Sequence, residues 1–441
     1  MLEKKKLRDI AEDMSGIRPT ERSLEGIVNF IEKAGDIHYE KQPRTFLGRL
    51  RELGYALNGV RPTQRSLRGI VNNIYENYEG GGGTTKIYGV SGLYDENSAL
   101  TRTDNAKRMG YTINQDGTIS SDFDNVFPFN EMERVEIENA NGVKNVFVKI
   151  PSMWFRVGAD EEQNLTDIAV SKEKGKKGNW YQTKEFYYGV YNGSGDVVNG
   201  GYIYSQTNKS VLSNVVPTYF RPNAMRNGAN YQMLDLYHKT IMNFLFWIEF
   251  ANKNSQQLFG MSLGTKQKSG GTDIITTPSG VLENGRLKWH YIEDFFGNVY
   301  EFLDGVYCSY YNYEGKYNAV ADVSNIGREF TTFSFENELS YRPARISPST
   351  TAYGLIKSLG WDENNPFLCM PKEMGINADY DSYFGDCAWI ASGNNYAFIT
   401  GSPAKTDMYL VEGITYITSA NIGQSSSTNG GTRLLYCPNG V

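Results

Sequence analysis

Apolar positions over residues 1–79 recur at helical spacing. Leu7, Ile10, Ala11 and Met14 share one helical face, and Leu24, Ile27, Val28 and Ile31 share another. The pattern is duplicated. Leu7-Arg8-Asp9-Ile10, Gly16-Ile17-Arg18-Pro19-Thr20 and Ser23-Leu24-Glu25-Gly26-Ile27-Val28-Asn29 return as Leu50-Arg51-Glu52-Leu53, Gly59-Val60-Arg61-Pro62-Thr63 and Ser66-Leu67-Arg68-Gly69-Ile70-Val71-Asn72. Each unit predicts helix, turn, helix. Gly16 and Gly59 suit left-handed C-caps, and Pro19 and Pro62 stop the helix from continuing.

Gly80-Gly81-Gly82-Gly83 then predicts a flexible linker over 80–84, and beyond it the periodicity changes to two. Lys86-Ile87-Tyr88-Gly89-Val90 reads as a strand and 100–106 as a polar turn. Over 143–151 the alternation puts Val146, Val148 and Ile150 on one buried face. Residues 172–177 read as a solvated lysine-rich loop. A long helix is predicted over 233–257, apolar on more than one side through Leu234, Tyr237, Ile241, Phe244, Leu245, Ile248, Phe250 and Ala251. His238 within it reads as a packing or hydrogen-bonding residue. His290 to Gly305 reads as a turn running into a strand with one aromatic face buried. The expected fold class is α+β, with a helical region over 1–79, a β-rich region over 85–215 and a further domain over 216–441.

Composition sharpens this picture. The 31 Tyr, 22 Phe and 6 Trp, with 46 Gly, fit a turn-rich β protein able to recognise a partner through aromatic contacts. A net charge of −6 argues against bulk attraction to nucleic acid or anionic membranes, and no apolar run reaches transmembrane length. Arg18, Arg22, Arg61, Arg65 and Arg68 raise a helix-turn-helix reading, but helical pairs packing on one another or on a partner fit better. Cys308, Cys369, Cys387 and Cys437 lack metal-ligand spacing, and the N-terminus lacks a signal-peptide core. Synthesis in a reducing cytoplasm, with cysteines kept as thiols, is the expectation.

Gly297-Asn298-Val299-Tyr300-Glu301-Phe302 resembles the Gly-Asn-Val-Trp-Glu-Trp signature of the C-type-lectin-like fold found in formylglycine-generating enzymes and in phage retroelement variable proteins. Gly431-Thr432-Arg433-Leu434-Leu435-Tyr436 resembles the closing Gly-x-Arg-Leu strand of both. Ile87-Tyr88-Gly89-Val90 with Leu100-Thr101-Arg102-Thr103-Asp104, Lys149-Ile150-Pro151-Ser152-Met153-Trp154-Phe155-Arg156, and Glu249-Phe250-Ala251 with Asn254-Ser255-Gln256 are similar to pieces of minor tail proteins in phages of Gram-positive gut bacteria. The duplicated helices resemble attachment units at the start of some phage tail proteins.

The resemblance implies a tail protein of the virion: a homotrimer joined to other tail proteins through residues 1–79, meeting a bacterial surface receptor, protein or glycan, through a C-terminal lectin-like domain over 216–441. Lys405, Thr406, Asp407, Tyr409, Glu412, Tyr416, Ser419 and Asn421 fall in the interval matching the variable binding surface. Their Tyr, Asp, Ser and Asn side chains suit adaptable contacts.

Enzymatic chemistry finds less footing. Formylglycine-generating enzymes use paired copper-binding cysteines, and Cys387 and Cys437 lack the family's surroundings. Related sulfoxide synthases use iron with a histidine set, and only His38, His238 and His290 are present. Glu293, Asp294, Glu301 and Asp304 form a carboxylate group that better suits holding turns than glycoside hydrolysis. No catalytic residue, cofactor, metal ligand set, nucleic acid or membrane insertion is expected.

Overall fold

The computed structural model describes residues 2–15, 19–20, 23–34, 37, 45–58, 62–77, 86–175, 178–197, 200–260, 266–311, 316–321, 353–375, 382–389, 396–400, 415, 417–421 and 430–439. It is a mixed helix-and-sheet protein. Among the described residues, no helix is long and apolar enough to cross a membrane.

Four helices come first: α1 (Leu2–Ser15), α2 (Leu24–Ala34), α3 (Phe46–Asn58) and α4 (Leu67–Asn77). Leu7, Ile10, Ala11, Ile27, Val28, Ile31, Leu50, Leu53, Ile70, Val71 and Ile74 make one buried cluster, so all four helices share a core. The repeat is visible in the caps. Ser23 Oγ accepts from the Gly26 N–H at 2.9 Å, and Ser66 Oγ accepts from the Gly69 N–H at 3.1 Å. Gly54 lets α3 approach the next turn, because a Cβ there would lie 2.6 Å from Pro62 Cγ. The Met14 side chain, Gly16, Gly59, Arg18, Arg22, Arg61 and His38 lie outside the described residues.

One antiparallel sheet runs in the order Thr101–Asp104, Ile87–Ser91, Leu165–Ser171, Met153–Ala159, Trp180–Thr183. The polar stretch read as a turn is therefore partly a strand. Thr101–Asp104 pairs with Ile87–Ser91, Tyr88 opposite Asp104, and a 3-10 turn follows at Asn105–Arg108. A second antiparallel sheet runs Tyr231–Met233, Arg433–Tyr436, Phe186–Asn192, Lys144–Ile150, Glu133–Glu138. Val146, Val148 and Ile150 are buried as the alternation predicts, but Phe147 is buried too, packing on the other face against Tyr231 and Tyr436. The closing strand Arg433–Tyr436 lies between Phe186–Asn192 and Tyr231–Met233, so segments 85–215 and 216–441 share this sheet.

The third sheet carries the signature strand Tyr300–Tyr311. Its order is Lys316–Ala321, Tyr300–Tyr311, Tyr396–Thr400, Ile417–Asn421, Cys387–Trp389, Tyr353–Gly360, Met370–Gly375, and Gly430–Gly431 pairs in parallel with the start of the signature strand.

After a short helix α5 (Phe220–Met225), the helix α6 (Leu236–Phe250) runs through the main core. Phe244 meets Phe155, Phe246 meets Trp289 and Trp247 meets Phe384. The single helix predicted over 233–257 is shorter and divided. Met233 ends a strand, and Asp235 caps α6 by accepting from the His238 N–H at 2.7 Å. Ala251 turns left-handed at φ 48°, and Asn254 then caps a separate helix, Ser255–Phe259. Short polar side chains that bond to nearby backbone N–H groups compete with helix continuation, and Asn252 and Asn254 both do so.

Candidate functional site

The signature begins with a left-handed turn, Gly297 at φ 90° and Asn298 at φ 64°. The Asn298 carboxamide is fixed on both ends: Oδ1 accepts from the Gln267 N–H at 2.7 Å, and Nδ2 donates to Asn192 Oδ1 at 3.1 Å. Asn192 Nδ2 donates to Glu301 Oε1 at 2.8 Å. Arg433 Nε donates to that same oxygen at 2.7 Å. The remaining Arg433 nitrogens donate to the Gly189, Val190, Glu293 and Asp294 carbonyls at 2.9–3.1 Å. Burial opposes the guanidinium charge, but Glu301, Tyr188 and Asp294 together outweigh it and the Arg433 pKa is raised.

Each residue of the closing Gly-Thr-Arg has a contact that explains its identity. A Cβ at Gly431 would lie 2.8 Å from the Leu212 carbonyl oxygen. Thr432 Oγ1 donates to the Phe302 carbonyl at 3.1 Å. Arg433 reaches Glu301. Phe302 itself is fully buried against Phe220, ring centroids 5.6 Å apart.

The other carboxylates of the signature region also work inside the fold. Arg286 donates to Glu293 Oε1 and Asp294 Oδ2, both at 2.7 Å. Glu293 accepts from the Gly270 and Thr272 N–H groups at 2.8 and 2.7 Å. Arg221 Nε donates to Asp304 Oδ2 at 2.8 Å. All four carboxylates are buried, and each has a guanidinium partner, with the Asn192 carboxamide also on Glu301 and the Gly270 and Thr272 N–H groups on Glu293.

Of the expected ligand residues, Lys405, Thr406, Asp407, Tyr409, Glu412 and Tyr416 lie outside the described residues. Ser419 and Asn421 belong to the strand Ile417–Asn421, opposite Phe398 and Tyr396; their side chains also lie outside. Tyr396–Thr400 pairs in turn with the signature strand, Glu301 opposite Thr400 and Phe302 opposite Ile399. Within the interval, Thr415 is held by Asp386, whose Oδ2 accepts from the Thr415 N–H at 2.8 Å and whose Oδ1 accepts from Gln256 at 2.9 Å.

Two clusters escaped the linear reading. In the first, His238 Nδ1 lies 2.7 Å from Asp235 Oδ2 and Nε2 lies 3.8 Å from Cys437 Sγ. Carboxylate, imidazole and thiol are aligned, yet all three are at most 3% exposed. Burial alone would lower the His238 pKa, but the Asp235 carboxylate and, after it, Cys437 raise it to about 10. The Asp235 cap was a readable signal; the return of Cys437 was not.

The second cluster joins Asp124, Glu249 and His290, with one potential ligand atom from each within 4.8 Å of the others. His290 Nε2 lies 2.9 Å from Glu249 Oε2, which also accepts from Trp289 Nε1 at 2.7 Å. Burial pushes the Asp124 carboxyl upward, against the pull of His290. Burial also opposes ionisation of Glu249, but His290, Trp289 and Ser121 together hold its pKa below the usual value. Despite that proximity of Ser121, no hydrogen bond of normal geometry reaches Glu249 Oε1. Nothing in the linear spacing of these residues marks them as neighbours.

No protein-family model and no curated protein matches the chain.

Proposed function

We propose that this chain is a phage tail receptor-binding protein. Its helices α1–α4 would form paired hairpins that attach it to other tail proteins, and a C-type-lectin-like domain at the C-terminal end would bind a bacterial surface receptor without covalent chemistry. The observation that carries this reading is the strand pairing next to the signature. Tyr300–Tyr311 pairs with Tyr396–Thr400, and that strand pairs with Ile417–Asn421. The interval holding Lys405, Thr406, Asp407, Tyr409, Glu412 and Tyr416 is thus bounded by two strands of a sheet braced by Glu301 and Arg433. Buried strands fix a backbone, while exposed connecting residues can change without great cost to stability.

A trimer fits the resemblance to retroelement variable proteins, and several copies on one virion would multiply weak single-site affinity. Exchanging residues 397–441 for those of a related protein tests the assignment. Altered host range supports it. Unchanged adsorption would instead favour a structural tail component with no receptor of its own. Copper content and thiol-oxidation assays on the purified chain separate it from an oxidase of the formylglycine-generating type.

A further inference from the structure

We propose that Asp124, Glu249 and His290 form a binding site for a divalent transition-metal cation, with zinc the best match to one imidazole and two carboxylates. Such a mixed nitrogen and oxygen set suits zinc better than calcium or magnesium, which prefer oxygen alone. The three residues come from distant parts of the chain: a 3-10 turn at Asp122–Asn125, the last turn of α6, and the loop after the Leu287–Trp289 strand. Their candidate ligand atoms lie within 4.8 Å of one another. Zinc bonds of about 2.1 Å place ligands roughly 3.4 Å apart, so the widest gap would close by no more than about 1.5 Å.

The independent observation is unmet bonding capacity. Asp124 Oδ1 and Glu249 Oε1 are both shielded from solvent, and no hydrogen bond of normal geometry reaches either, although the Ser121 hydroxyl acts on the Glu249 carboxylate. A carboxylate oxygen buried in that way is unfavourable unless a proton or cation reaches it. The neighbouring guanidinium does not fill this role through its hydrogen bonds, because Arg102 donates to the Ile248 and Glu249 backbone carbonyls at 2.8 and 2.6 Å. Other contacts already orient the ligands. Trp289 holds Glu249 Oε2, and the Ser121 N–H donates to Asp124 Oδ2 at 3.2 Å. Phe129 and Trp289 wall the imidazole, ring centroids 5.1 and 5.5 Å away. Entry is available from the Asp124 side, which is half-buried and flanked by exposed Asp122 and Asn125.

A cation here would displace the proton shared by His290 Nε2 and Glu249 Oε2, coordinate both, and tie the 3-10 turn to the core helix. A fourth position would be left for water. None of the three residues falls within residues 397–441, so zinc binding and host-range exchange are read out by different substitutions.

The test uses the full, untagged chain, stripped with chelator and titrated with zinc chloride. The expected result is one zinc per chain, a higher melting temperature with zinc, and at least about ten-fold weaker binding in Asp124→Asn at unchanged circular dichroism. Failure of the parent to bind zinc, or equal binding by Asp124→Asn, overturns the proposal. Should Asp124→Asn fail to fold, cobalt(II) substitution of the parent decides. Visible bands of a nitrogen and oxygen ligand set support the site; no bands, or a thiolate charge-transfer band, overturn it.

Discussion

Arg433 donates through Nε to Glu301 Oε1 at 2.7 Å, and both side chains are buried, at 0% and 3% exposure. The contact links an interior strand of the second sheet to the signature strand of the third. Each of the two motifs carries half of one buried ion pair.

Removing either half leaves a buried charge without its partner. Arg433→Leu and Glu301→Leu should each destabilise the chain by about 3–5 kcal/mol, whereas the double substitution should cost much less than their sum. Urea denaturation of the three variants checks this. Strictly additive losses would mean that the pair is not coupled.

Phe302→Ala should lower stability by about 3–5 kcal/mol, because the ring is fully buried against Phe220 and leaves a cavity. The measurement is thermal or urea unfolding. A variant as stable as the parent would contradict the scaffold role of the signature.

The buried His238–Asp235 pair predicts a pH dependence of known sign. The His238 pKa rises from an ordinary 6.5 to about 10, so its stabilising effect is complete below pH 6.5 and is lost as pH rises toward 10. Burial acts oppositely on Lys239 and Lys253, lowering both to about 8, so those groups add stability as pH rises from 8 to 10.5. The discriminating quantity is therefore the difference in unfolding free energy between the parent and His238→Gln. That difference should shrink between pH 6.5 and 10; a constant difference would rule out the charged pair.

Gly54→Val should destabilise the helical region by about 1–3 kcal/mol, because even a Cβ would lie 2.6 Å from Pro62 and 3.1 Å from Ile74. Loss of the helical circular-dichroism signal at lower urea is the readout.

What could be read from the linear chain was whatever depends on near neighbours. The duplicated apolar spacing around Leu7, Ile27, Leu50 and Ile70 identified helices whose cores do meet. The alternation of Val146, Val148 and Ile150 marked a real strand, yet it gave no hint that Phe147 is buried as well, since that depends on a second packed layer. The break at Ala251 comes where the chain turns left-handed ahead of Asn252 and Asn254, whose short side chains bond local backbone, a signal that apolar spacing does not carry. Pairings such as Glu301 with Arg433, or Asp124 with His290, join residues far apart in sequence. For the first, only the paired motifs gave a hint. For the second there was none.

The proposed receptor-binding role makes one claim, a division between buried scaffold and binding surface, and Tyr416→Ala decides it. Adsorption of the purified variant to host cells should fall at least about ten-fold while its melting temperature stays within about 1 °C of the parent, as the proposed contact role requires. Adsorption equal to the parent's, or a loss that follows a lowered melting temperature, would contradict the claim.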